Sequence, residues 1–155
     1  MNIELSYILY SSAFGALASL GFGVLFNVPK KALIGCAILG ALGIALRSTL
    51  SVLGVEIVLS TFAASLLVGF SSLLFYKYAY VPSAIFSITG AIPMVPGVYA
   101  FNAMLGIIEL STEPADLQLL LETSSNFIKT ALILIAIAAG ITAPTILFKR
   151  FRMVM

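Results

Sequence analysis

The chain has 155 residues, of which 61% are hydrophobic and only 9% charged, with a mean hydropathy of +1.17. Soluble domains run near half apolar and about a quarter charged, and a fold this small leaves too much surface bare to hide such a composition from water. At about 20 apolar residues per helical span, the length predicts an all-α integral membrane protein of five spans with short connections. Histidine is absent, which excludes histidine metal sites, His–carboxylate relays and Ser–His nucleophiles. The single cysteine, Cys36, lies inside an apolar run and reads as small core filler. Eight basic against six acidic residues give a net charge of +2, which makes no nucleic-acid surface, and no residue set calls for a cofactor or a metal.

The segment Met1-Asn2-Ile3-Glu4 lacks the basic start of a cleavable signal, so the first apolar run, about 5–26, reads as a retained span. It stops at Asn27-Val28-Pro29-Lys30-Lys31. The second covers about 32–53 and is interrupted by Arg47; Gly54-Val55-Glu56 then turns into the third, about 57–75. Tyr76-Lys77-Tyr78-Ala79-Tyr80 closes that span with aromatic rings suited to the headgroup level. The fourth opens at Pro82, acceptable in a first turn, and reaches about 110. The fifth covers about 124–148 and ends in Lys149-Arg150-Phe151-Arg152. Residues 111–123 place Glu113, Asp116 and Glu122 among leucines. That segment is either an amphipathic interfacial helix or an extension of the fifth span. The whole chain, 1–155, forms one transmembrane domain on this reading.

Charge orients the bundle. Lys30, Lys31, Lys77, Lys149, Arg150 and Arg152 fall on one side, and Glu4, Glu56, Glu109, Glu113, Asp116 and Glu122 on the other. Basic loops mark the cytoplasm, so the N-terminus is expected outside and the C-terminus inside, as an odd number of spans also requires. Small residues recur every fourth position (Ala37, Ala41 and Ala45; Gly15 and Ser19; Ala136 and Gly140) and read as close helix packing.

The fourth span carries the chemistry. Its middle is Thr89-Gly90-Ala91-Ile92-Pro93-Met94-Val95-Pro96-Gly97-Val98-Tyr99. Two prolines three apart remove two amide donors, and about 16–18 Å of helix on either side puts the break near the bilayer midplane. Irregular backbone at that depth must be buried in protein or line a wet cavity, and transporters build substrate sites from such broken helices. With Pro96 opening a new half-helix, the amides of Gly97, Val98 and Tyr99 are expected to face a carboxylate. Tyr99 and Asn102 lie in the next turns. The bland alternative is a kinked helix with buried prolines.

Arg47 sits about 9–10 Å inside the outer end of the second span. It either binds an anionic substrate, snorkels outward, or holds the hairpin by pairing with Glu56. Ser60 and Thr61 are secondary candidates, for a ligand or for neighbouring carbonyls. Asn126 is the polar candidate of the fifth span, and Lys129 is expected to snorkel to the outer interface. Proton coupling, where present, would need Glu56 or a partner chain.

In order along the chain, Asn27-Val28-Pro29, Arg47, Ser60-Thr61-Phe62-Ala63-Ala64-Ser65 with Val68-Gly69, Ile92-Pro93-Met94-Val95-Pro96-Gly97 and Asn126-Phe127 together resemble the threonine/serine exporter family, in its smaller, C-terminal-type half. The resemblance covers about residues 22–130. It implies a transporter of two five-span halves, fused or encoded separately, so that this chain is one subunit needing a larger five-span partner, with a higher oligomer open to the pair. It also implies a bacterial inner-membrane location and efflux of a small carboxylate-bearing metabolite, threonine and serine or a dicarboxylate such as succinate. The site expected on the matched motifs is Arg47, Pro93, Pro96, Gly97, Val98, Tyr99, Asn102 and Asn126. The rival reading is a non-transporting scaffold that stabilises a larger transport partner. An intramembrane enzyme is disfavoured by the lack of histidine and of paired carboxylates within one span.

Overall fold

The computed structural model describes residues 2–79, 81–112 and 117–152. Four helices are each long and apolar enough to cross a membrane: α1 (Asn2–Leu25), α2 (Lys30–Val52), α3 (Ile57–Ala79) and α6 (Leu117–Arg152). A fifth crossing is broken. α4 (Ser83–Ala91), a 3-10 turn (Ile92–Met94) and α5 (Gly97–Thr112) qualify together but bend by 56° at the break. The chain is an all-α membrane protein with a discontinuous fourth crossing at 93–97.

Helix ends follow from local chemistry. Asn27 takes a left-handed φ of 55° after α1, a conformation asparagine tolerates. It lets Val28 N–H reach back to the Gly23 carbonyl and Asn27 N–H to Val24, which satisfies the last carbonyls of α1. Gly54, at φ 83°, ends α2 the same way, with Val55 N–H on Leu50 and Gly54 N–H on Ser51. Within 111–123, Ser111 and Thr112 end α5 and residues 117–123 are continuous with α6. Glu113 and Asp116, the side chains of the 76–80 aromatic cluster and those of Lys149, Arg150 and Arg152 lie outside the described residues.

α2, α3 and α4 form the middle of the bundle, α1 packs on α2, α6 on α3, and α5 on α6. The core between them holds Cys36, Leu39, Val68, Phe86, Met94 and Ile133, each with no exposed surface. Outward faces carry large apolar side chains instead, such as Phe14, Ile34 and Leu74, the arrangement expected where the solvent is lipid. Small residues allow the backbones to close up. A Cβ on Gly40 would strike Ser19 and sit 2.7 Å from the Gly15 carbonyl. On the other side, a Cβ on Gly140 would strike Ser65.

Candidate functional site

Proline has no amide hydrogen, so Pro93 and Pro96 strip the helical donor from the carbonyls of Thr89 and Ile92. Each finds another. Ser19 Oγ, fully buried on α1, lies 2.8 Å from the Thr89 oxygen and 2.7 Å from that of Cys36. The Ile92 carbonyl accepts from Val95 N–H at 3.0 Å, which makes the 3-10 turn. Past the turn the chain is no longer helical, and the Met94 carbonyl accepts from Arg47 Nη1 at 2.7 Å. Gly97 N–H then bonds Val95 and Ala100 N–H bonds Pro96, restarting a helix as α5. The break is therefore a built feature, held by a hydroxyl from α1 and a guanidinium from α2.

Arg47 is mostly buried and joins Met94 rather than Glu56, which is exposed. A guanidinium has five N–H donors in a fixed fork, so the bond to Met94 leaves donors to spare. They border a cleft of about 480 Å³ between α1, α2 and the broken helix. Its polar lining is Tyr7, Ser11, Arg47, Ser48 and Ser51, and Pro93 closes one wall. Ser48 is buried, and Ser51 Oγ is buried with no hydrogen-bond partner among the described residues. That hydroxyl is free to bond a polar group entering the cleft. The cleft combines one fixed cation with several hydroxyls. That set suits a small anion bearing further hydrogen-bonding groups.

The expected site residues divide. Arg47 and Pro93 meet at the cleft, whereas Pro96, Gly97, Val98, Tyr99, Asn102 and Asn126 do not line it. Pro96 is buried just before the first residue of α5, and Gly97, Val98 and Asn102 are exposed on the surface of the chain. One expectation needs correcting: the Gly97 amide is not free, because the turn folds it onto the Val95 carbonyl. Tyr99 is half-buried, with Lys129 Nζ 5.7 Å over its ring. The exposed Lys129 amine thus lies within reach of an aromatic face. Asn126 lines a separate shallow groove on α6 with Glu122, Ser125 and Lys129. Ser60 and Thr61 donate to carbonyls of their own chain turn, Ser60 to those of Val55 and Glu56 and Thr61 to that of Ile57. Among the described residues no His, Cys, Asp or Glu cluster is arranged to hold a metal ion.

Tyr7, Ser11, Ser48 and Ser51 join the cleft without any motif of their own, but their spacing carries a signal. Tyr7, Ser11, Gly15 and Ala18 fall on one stripe of α1, as Ile44, Arg47, Ser48 and Ser51 do on α2. Both stripes keep the i, i+3, i+4 spacing of a single helix face.

The family described as "Threonine/Serine exporter, ThrE" matches residues 11–147. An uncharacterized protein of Haemophilus influenzae is 39% identical over 151 residues, covering 97% of this chain and 50% of its own length. The chain thus spans about half the length of this curated relative. No solved structure matches it.

Proposed function

The chain belongs to the threonine/serine exporter family, and we propose that within it the chain is one half of a secondary transporter exporting small carboxylate-bearing metabolites. Its substrates are threonine and serine, or a dicarboxylate such as succinate. The carrying observation is the bond from Arg47 to the Met94 carbonyl, which fixes a cation at the break in the lining of the hydroxyl-bearing cleft. The substrate carboxylate binds Arg47, and Ser48, Ser51, Ser11 and Tyr7 take up its other polar groups. Access alternates as one half rocks against the other. The break takes part because the carbonyl that holds Arg47 belongs to its 3-10 turn, so a hinge movement that carries this turn moves the cation. Pro96, Gly97 and Val98 set that hinge, while Tyr99, Asn102 and Asn126 belong to the neighbouring α5–α6 face.

The membrane in this reading is the bacterial cytoplasmic membrane, with the N-terminus outside and the basic C-terminal end inside. The second half in this reading is a larger five-span subunit of the same family; the Haemophilus relative, which carries about as much chain again as the matched stretch, supports the existence of a second half. Loading cells that express both halves with labelled serine, threonine and succinate tests the proposal. Arg47-dependent efflux of at least one is the expected result, and efflux of none sinks it. Reconstitution of the second half alone decides the scaffold alternative, which would require full-rate export without this chain.

A further inference from the structure

The longest helix does not fit inside a bilayer. α6 runs 36 residues, about 54 Å at 1.5 Å per residue, against a hydrocarbon core of about 30 Å. Its level can be read from α3, which runs beside it. Ser65 donates to the Ala136 carbonyl and packs on Gly140, so Ser65 stands level with about residue 138. One turn on, Gly69 packs on Gly140, Ile141 and Pro144, at the same offset. α3 starts at Ile57, eight residues before Ser65, and the same rise along α6 reaches about residue 130. Residues 117–129 therefore continue for about 20 Å past the end of α3. α5 climbs with them, since Gly106 packs on the buried Thr123 with no room for a Cβ.

That projecting part is apolar on its outside. Leu117 is 70% and Leu121 62% exposed, and Met104, Ile107, Ile108 and Leu120 are exposed with them. Past the end of α3 there is less hydrocarbon to cover such side chains, and an uncovered patch of this kind marks an interaction surface. The foot of the patch is polar: Glu122, Ser125, Asn126 and Lys129 line one groove along α6. α5 packs within the chain chiefly on α6, which leaves its far side bare. The Haemophilus relative carries about as much chain again beyond the stretch that matches.

We propose that this projecting α5–α6 face is where the second half of the transporter docks. Its apolar side chains are covered by a matching helical hairpin, and the Glu122–Lys129 groove fixes the register by pairing with polar groups of the partner. The inference rests on the two-half reading of the protein. Docking here would place the seam between the halves beside α5, the movable arm of the broken helix.

The test uses the full chain expressed with its second half, carrying a photo-reactive benzoylphenylalanine at Leu121 or, as a control, at the exposed Leu9 of α1. Irradiation at Leu121 is expected to give an adduct whose peptides identify the second exporter half, and Leu9 none. Adducts at Leu121 with lipid alone, or with another copy of this chain, overturn the proposal. Copurification separates the two layers of the reading: a heteromer that cross-links through another face refutes this docking site alone, whereas no heteromer refutes both. As a second measurement, Ile108→Glu with Leu121→Glu should lower recovery of the second half at least tenfold at unchanged membrane levels. Unchanged recovery counts against the proposal.

Discussion

Replacing Arg47 by glutamine separates its two duties. The guanidinium holds the Met94 carbonyl at 2.7 Å, and a hydrogen bond from a charged donor is worth about 1.5–3 kcal/mol net. A glutamine amide can still donate there, so most of the structural part is kept, and the thermal midpoint should fall by only a few degrees. The charge is lost altogether. Two unit charges 4 Å apart interact by about 4 kcal/mol at an effective dielectric constant near 20, and part of that is offset by desolvating the carboxylate. A net loss of about 2–3 kcal/mol predicts a 30- to 150-fold fall in efflux at about 1.4 kcal/mol per tenfold. Arg47→Lys restores the charge but not the fork and should recover part of the rate. Arg47→Met keeps neither and should lose both transport and stability. The assay is initial-rate efflux of labelled substrate from loaded cells expressing both halves, with a detergent thermal melt beside it. Wild-type efflux from Arg47→Gln would refute a substrate-binding cation at the break.

Other outcomes test the frame around it. Ser19→Ala leaves the buried Thr89 carbonyl without its replacement donor, at a cost of about 1–3 kcal/mol, visible as a lowered melting midpoint. Gly140→Val forces a side chain into Ser65 across the α3–α6 contact and should destabilise by about 1–3 kcal/mol; Gly21→Ala, with open space around it, should be neutral or slightly stabilising. Pro96→Ala with Gly97→Leu returns an amide donor to the Ile92 carbonyl and stiffens the start of α5, where Gly97 has room for a side chain. It should insert normally and export poorly, and normal export would mean that the break does not need to bend. Single cysteines at Lys31 and Glu56, in a Cys36→Ala background, should react with an impermeant maleimide from opposite sides, Glu56 from outside; the reverse pattern overturns the proposed orientation.

The composition alone forces a bilayer, because no water-soluble packing of so short a chain can hide so much apolar surface. Spacing did nearly as well for the broken crossing: Pro-x-x-Pro-Gly removes two amides within one turn, and no helix survives that unchanged. The use of the freed carbonyls was not legible. Thr89 is satisfied from a position 70 residues away and Met94 from one 47 residues away, and a local pattern holds no record of such pairings. For the same reason the expected site came apart. Arg47 and Pro93 share a cleft with Tyr7, Ser11, Ser48 and Ser51, while Tyr99 and Asn126 turn to Lys129 and the α6 groove. Glu56 was a sensible partner for Arg47 along the chain, but the break offers a nearer acceptor.

The sequence by itself therefore determined the solvent, the helical class and the place where one helix must fail, since each depends on composition or on residues within a turn of one another. Tertiary structure decided which groups repair that failure and which faces are left over. Packing joins residues remote along the chain, and only there do an arginine from α2, a serine from α1 and the carbonyls of a broken helix become one site.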